Sequence, residues 1–380
     1  MTDIDTLPEQ RKEFYNYKRN ALQQEVEKAF GPAPPSELHV LNREQLLSQL
    51  QKLAETNYPE TVAKEKHDRI STMLAQKSMA VKSPSLALGL MAGMSIPARM
   101  LAVYATEEQK RKYLKPLLRG SASAAIAISE TGMSIENGPL LTFAKNTDEN
   151  IWILQGEKNY IWNAPLADFF VVAAETDQGP AWFILDRDTV GLERGPADET
   201  LGFRGSAIGS LTMDACRLDR NQIIGPFPNR DSLAVLREWQ NEALISIALG
   251  LIKRCYDTAL PYAKQHKSGG KPIISYQEVG FKLAEIMTLD QTAQLLAMKA
   301  AWAKEADNRD ADALLGCAKV FCCEAAEKTA SECLQIMGGA GYMKDNPVAE
   351  SFQDAKYLTI AGVSSEISRM MIADSVLAMY

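Results

Sequence analysis

The sequence predicts an α+β fold in three parts: an N-terminal helical domain, a middle antiparallel β domain and a C-terminal four-helix bundle. Three observations predict it. Residues 1–120 carry apolar side chains at helical spacing. Residues 121–228 break into short runs rich in β-branched and aromatic residues, and residues 229–380 return to long helical patterns. In a doubly wound sheet, strands and helices would alternate instead.

In the first part, "EQRKEFYNYKRNALQQEVEKAF" mixes apolar and charged residues at helical spacing, and Gly31-Pro32 stops it. "NREQLLSQLQKLAET" repeats the pattern, with Asn42 as cap and Glu44 in the first turn. "TEEQKRKYLKPLLRG" opens on Thr106 as cap and closes near Gly120. "SPSLALGLMAGMSIPARMLAVYA" comes nearest to a membrane span, but Pro97 and Arg99 make it read as buried helices.

In the second part, "SAAIAIS", "IWILQGEKNYIW", "DFFVVAAE", "AWFILD" and "GSLTMDACRL" are strand candidates. "GEK" after "WILQ" reads as a tight hairpin, and "TDQGP" separates a second pair. In the third, "LAVLREWQNEALISIALGLIKRCYDTALPYAKQH", "SYQEVGFKLAEIMTLDQTAQLLAMKAAWAKEA" and "ADALLGCAKVFCCEAAEKTASECLQIMGG" read as long helices. With the stretch from Ser364 they make four helices joined by short connections.

Composition narrows the function. The chain has 380 residues and a formal net charge of −7, with no run of basic residues. That argues against a nucleic-acid partner, which selects basic surfaces. The polar start "MTDIDTLPEQRKEFYNYKRN" has no apolar signal core, and no membrane insertion is expected. Six cysteines without a CxxC pair, beside only three histidines, argue against a zinc site. Free core thiols in a reducing cytoplasm are the expectation.

Four segments then occur in order. "YATEEQKRKYLKPLLRGSASAAIAISETG", "LQGEKNYIWNAPLADFFVVAAETD", "LGFRGSAIGSLTMDACRLDRNQIIG" and "LQIMGGAGYMKDNPVAESFQDAK" together resemble the acyl-CoA dehydrogenase family, from about Ser83 to Tyr380. The resemblance implies a homotetramer or homodimer, with FAD between the β domain and the bundle. An acyl thioester, usually acyl-CoA, would lie between flavin and bundle. A glutamate would remove the α-proton while hydride leaves the β-carbon. Such a base is needed because an ordinary acyl thioester is a weak carbon acid, and donors on the thioester carbonyl hold the developing charge.

Carried over residue by residue, the resemblance assigns Ile128, Ser129 and Glu130 of "ISETGMSIEN" to the flavin and its pyrophosphate. Within the same stretch, Ile135 stands between Ser134 and Glu136 where the family has a hydroxyl. In "NYIWN", Tyr160 would stack beside the flavin. Trp162 replaces an aliphatic hydroxyl, and its indole N–H is a remaining donor. Gln335, Gly338 and Gly339 match contacts to the adenosine end of FAD. His266, Gly269 and Gly270 stand where an arginine and a Phe-Gly usually grip a partner's FAD. Each segment also has a plainer reading: glycines that end a helix, a tryptophan in a β core, a histidine on a loop.

"TIAGVSSEISR" is the largest departure. It places Gly362 at the family's base, and Ser364 and Glu366 at flavin contacts. Leaving room for a bulkier substrate is one reading of Gly362. Some relatives carry the base on the first bundle helix. Counting back from Leu249-Gly250 reaches Gln240, which is no base, then Asn241, where arginine is frequent. Glu242 is near in sequence, but two residues along a helix turns it away. Three functions remain open: FAD-dependent oxidation of an activated acyl thioester, with oxygen as a candidate acceptor; an ordinary acyl-CoA dehydrogenase with a relocated base; and a non-catalytic, FAD-poor subunit of a mixed oligomer.

Overall fold

The structure is a computed structural model that describes residues 21–31, 41–64, 68–131, 139–148, 151–225 and 231–377. Its N-terminal part contains α1 (Ala21–Phe30), α2 (Arg43–Ala54), a short helix Tyr58–Val62, α3 (Arg69–Lys82), α4 (Pro84–Tyr104) and α5 (residues 107–118). Capping fixes two of these starts. The Asn42 side chain accepts from Gln45 N and the Gln45 side chain accepts from Asn42 N, both at 2.9 Å. Thr106 and Gln109 repeat the box at α5. The α4 run is long and apolar enough to cross a membrane, but 78% of its most apolar window is buried inside this fold. Its middle, Met91–Ser95, is a π-helical turn.

The middle part is β1 (Ala124–Ala127), β2 (Phe143–Asp148), β3 (Ile151–Trp162), β4 (Phe169–Ala174), β5 (Ala181–Asp186), β6 (Leu192–Arg194), β7 (Ile208–Asp219) and β8 (Ile223–Ile224). They form two sheets, ordered β1-β4-β5-β8 and β2-β3-β7-β6. Strand β4 shows why "FFVVAA" is apolar throughout. Phe170, Val172 and Ala174 pack with the second sheet, while Phe169, Val171 and Ala173 pack with the helices. A strand buried on both faces has no polar alternation.

Two strand expectations are corrected here. "GEK" is not a hairpin: β3 runs unbroken from Ile151 to Trp162. Gly156 instead sits at a register shift with φ +144°, and a Cβ there would come within 2.7 Å of Thr142 Cα. It is a bulge glycine. The domain is also not wholly antiparallel, because β1 pairs with β4 in parallel. The chain between them makes β2 and β3 of the second sheet, a long connection of the kind a parallel pair requires. "TDQGP" does join an antiparallel pair, β4 and β5.

The C-terminal part is α6 (Asp231–Gln265), a small hairpin of Lys267–Ser268 and Lys271–Pro272, α7 (Gln277–Glu305), α8 (Ala311–Met337), α9 (Pro347–Ile360) and α10 (Ser365–Leu377). The four expected helices are present. A further one, α9, hides within "NPVAESFQDAK": Asn346 caps it by accepting from Val348 N at 2.9 Å, and Pro347 starts it. Helix α9 carries the chain back to the β domain and sets the position of Gly362.

Candidate active site

A cleft of about 630 Å³ lies where the β domain, α4, α6 and the end of α9 meet. Ile128 and Ser129 line it from the end of β1, Tyr160 and Trp162 from β3, and Gly362 from beyond α9. With Glu130, also in its lining, six of the residues assigned from the resemblance are thus brought together. The cleft also takes Arg237 and Gln240 from α6, Tyr357 and Ile360 from α9, and Asp198 and Glu199 at its exposed mouth. The sequence reading missed Arg237 and Tyr357. The i, i+3 spacing of Arg237 with Gln240 was the available signal.

The backbone at "NYIWN" is bent to serve the cleft. Tyr160 and Asn163 have φ of 59° and 62°, and the register between β3 and β7 shifts beside Tyr160. Each such non-glycine residue costs about 1–3 kcal/mol and is held by its surroundings. Asn163 is fixed by its backbone N–H to Ala207 O and its side-chain amide to Gly89 O, both at 2.7 Å. Tyr160 is left 66% exposed, an aromatic face open to the cleft.

Trp162 departs from the expectation for it. Its indole N–H donates to the Tyr357 hydroxyl and is not a spare donor. Burial pushes the Tyr357 phenol up to about 12, and its ring meets Phe203 edge-on at 5.3 Å. Tyr357→Phe should leave the half-buried indole unpaired and cost about 1 kcal/mol in urea denaturation, with a shift in tryptophan emission.

Glu130 is buried and internally paired. It meets Lys158 Nζ at 2.6 Å and accepts from Leu141 N at 2.6 Å and Thr142 N at 2.9 Å. Burial alone would raise its carboxyl; Lys158 and the two amides more than offset that and hold it below the ordinary range. Burial pushes the Lys158 ammonium down to about 8, against the pull of Glu130. The rim behind Ser129 therefore presents no unpaired carboxylate. Ser134, Ile135 and Glu136 lie outside the described residues.

Gly362 corrects the idea that the absence of a side chain leaves room. Its φ is +68°, and a Cβ would lie 2.7 Å from Asn241 Oδ1 and 2.9 Å from Leu244 Cδ1. Asn241 Oδ1 accepts from Val363 N at 3.2 Å. Where the resemblance placed an arginine, asparagine clamps the backbone that carries Gly362. Ser364 and Glu366 do not line the cleft. The Ser364 hydroxyl accepts from Ile367 N at 3.3 Å, starting α10. Glu366 is exposed, and its carboxyl is held low by its own backbone N–H and by Ser364.

Glu242 does turn away from the cleft. It accepts from Arg99 at 2.8 Å and from Arg69, while Arg69 also reaches Glu238 at 2.7 Å. Gln240 stays in the cleft, so the first bundle helix offers it an amide and no carboxylate.

The remaining predicted residues gather elsewhere. Gln335 lines a second groove of about 710 Å³ with Ser268 and Tyr276. His266 precedes that hairpin and stacks on Tyr262 at 4.8 Å and 11°. Gly338 ends α8 with φ 57°, and open space surrounds both it and Gly339. Within one chain Gln335 lines a different depression from the cleft, and His266, Gly338 and Gly339 line neither.

The chain matches the acyl-CoA dehydrogenase N-terminal domain over residues 9–121, the middle domain over 125–216 and the C-terminal domain over 240–377. It is 32% identical to a 3-(aryl)acrylate reductase of Clostridium sporogenes over 279 residues, 72% of this chain and 73% of that one. It is 31% identical to the probable acyl-CoA dehydrogenase YngJ of Bacillus subtilis, covering 84% and 86% of the two chains. The butyryl-CoA dehydrogenase structure from Megasphaera elsdenii superposes with a TM-score of 0.85 at 26% identity, over 99% of each chain.

The cleft fits a flavin. Its volume is ordinary for a cofactor site, Tyr160 offers an open aromatic face, and the nearby buried carboxylate is neutralised by Lys158. The three matched domains and the intact cleft together make this chain a member of the acyl-CoA dehydrogenase family, an FAD-dependent oxidoreductase.

Proposed function

We propose that the protein exchanges hydride between FAD and an acyl thioester, probed most simply as acyl-CoA, whose acyl group is already activated. The single observation that carries this is the closed position at Gly362, fixed by Asn241, with Glu242 held by two arginines behind the cleft. A carboxylate base at Gly362 or on the first bundle helix therefore gains no support. FAD, when bound, supplies the hydride chemistry. Ile128, Ser129, Tyr160 and Trp162 would hold it, and Gln240 and Arg237 face the space where the acyl group would lie. A carbonyl-activated acyl group carries an α-proton acidic enough for water to accept, and the Gln240 amide would only position that water.

A homodimer or homotetramer is part of the same reading. Gln335 lines a groove other than the flavin cleft, and Gly338 and Gly339 end the same helix in open space, which suits residues that meet a neighbour's cofactor. All six cysteines are unpaired, supporting a reducing compartment such as the cytoplasm.

Anaerobic mixing of the yellow holoenzyme with activated acyl-CoAs should bleach the flavin, and simple alkanoyl-CoAs should not. Equal bleaching by both would overturn the reading. A colourless purified protein would support the non-catalytic alternative instead. Admitting oxygen afterwards, with product mass analysis, separates dehydrogenation from oxygen incorporation.

A further inference from the structure

Behind the cleft lies a second, smaller chamber of about 40 Å³ between α3, α4, α6 and α7. Ile96, only 5% exposed, borders both spaces. It follows the π-helical turn of Met91–Ser95, a local irregularity of a kind common at functional sites. Helix α6 serves both sides, with Gln240 toward the cleft and Trp239 and Glu242 toward the chamber.

The chamber wall joins apolar residues to Arg69, Thr72, Arg99 and Glu242; its other polar residues are already bonded, Gln76 and Ser95 to Tyr58 Oη and Ser246 to Glu242 O. The arginines already share Glu242. The Thr72 hydroxyl has no partner, although the residue is only 7% exposed. An unpaired buried hydroxyl calls for a ligand or a water. At about 10–15 Å³ per water, the space holds about three small atoms.

We propose that this chamber receives the far end of the acyl group and selects chains that end in a neutral hydroxyl. This rests on the reading of the cleft as an acyl-thioester site. A hydroxyl both donates and accepts, which matches Thr72, the guanidinium donors and the Glu242 acceptor together. A terminal carboxylate would face Glu242, and a terminal ammonium would face Arg69 and Arg99. A plain methyl end would leave Thr72 unpaired.

The test is calorimetric titration of the FAD-loaded protein with S-alkyl-CoA thioethers of increasing length, which bind without turnover. Each length is made with a methyl, a hydroxyl and a carboxylate end. At the length that reaches past Ile96, the hydroxyl end should bind about tenfold tighter than the methyl end. Thr72→Val should erase that advantage while melting no lower than the parent, since the threonine hydroxyl has no protein partner. Equal binding of methyl and hydroxyl ends at every length overturns the proposal and leaves the thioester cleft standing; the chamber then holds water only. Tighter binding of the carboxylate end, or a preference that survives in Thr72→Val, also overturns it. Binding of none overturns this proposal and the thioester reading together.

Discussion

Gly362→Ala is expected to destabilise the protein by about 2–5 kcal/mol, read as a lower denaturant midpoint at unchanged slope. Two costs add. A non-glycine residue at φ +68° loses about 1–2 kcal/mol. A Cβ within 2.7 Å of Asn241 Oδ1 and 2.9 Å of Leu244 Cδ1 is overpacked, at about 1–3 kcal/mol. Adding Asn241→Ala should recover only part of the loss, because Leu244 and the backbone angle remain. Gly362→Glu should fail as a repair of the family's base for the same reason. A stable Gly362→Glu protein that oxidises simple alkanoyl-CoAs would refute this picture of the site.

Lys158→Met is expected to cost about 3–5 kcal/mol, because it strands the buried Glu130 carboxylate. The Lys158 and Glu130 side chains are 0% and 3% exposed, and Glu130 ties the end of β1 to the amides of Leu141 and Thr142. The double variant Lys158→Met/Glu130→Gln should lose less than the sum of the single losses, since it strands no charge. The pH dependence follows from the depressed Glu130 carboxyl. A carboxyl with a lower pKa in the folded state stabilises fully above its unfolded value, and that contribution fades as pH falls through the folded value. Acid unfolding of Glu130→Gln should therefore be shallower than that of the parent. Additive single losses would refute the coupling.

Local physics made much of this legible in sequence. Periodicity divided the chain into helices, strands and helices, and side-chain chemistry marked the caps at Asn42 and Thr106. What escaped depends on partners distant in the chain. The parallel pairing of β1 with β4 cannot be read from either strand alone. Gly156 has the composition of a turn and becomes a bulge only because Thr142 lies against it. The donor of Trp162 meets Tyr357, 195 positions away, so its commitment was invisible beforehand. Gly362 was noticed as a missing base, but its necessity shows only beside Asn241, on a different helix. Glu242 was the exception: helical geometry alone turned it out of the cleft, and Arg69 and Arg99 hold it there.

The central claim is that neither Gly362 nor the first bundle helix gives this cleft a carboxylate base for an unactivated α-proton, while Asp198 and Glu199 stay at its exposed mouth. The most direct measurement is deuterium uptake at the α-carbon, with holoenzyme in deuterated water and the thioester followed by mass spectrometry. The account predicts uptake into an activated acyl-CoA and none above the uncatalysed rate into a simple alkanoyl-CoA. Rapid enzyme-dependent uptake into the simple alkanoyl-CoA would contradict it.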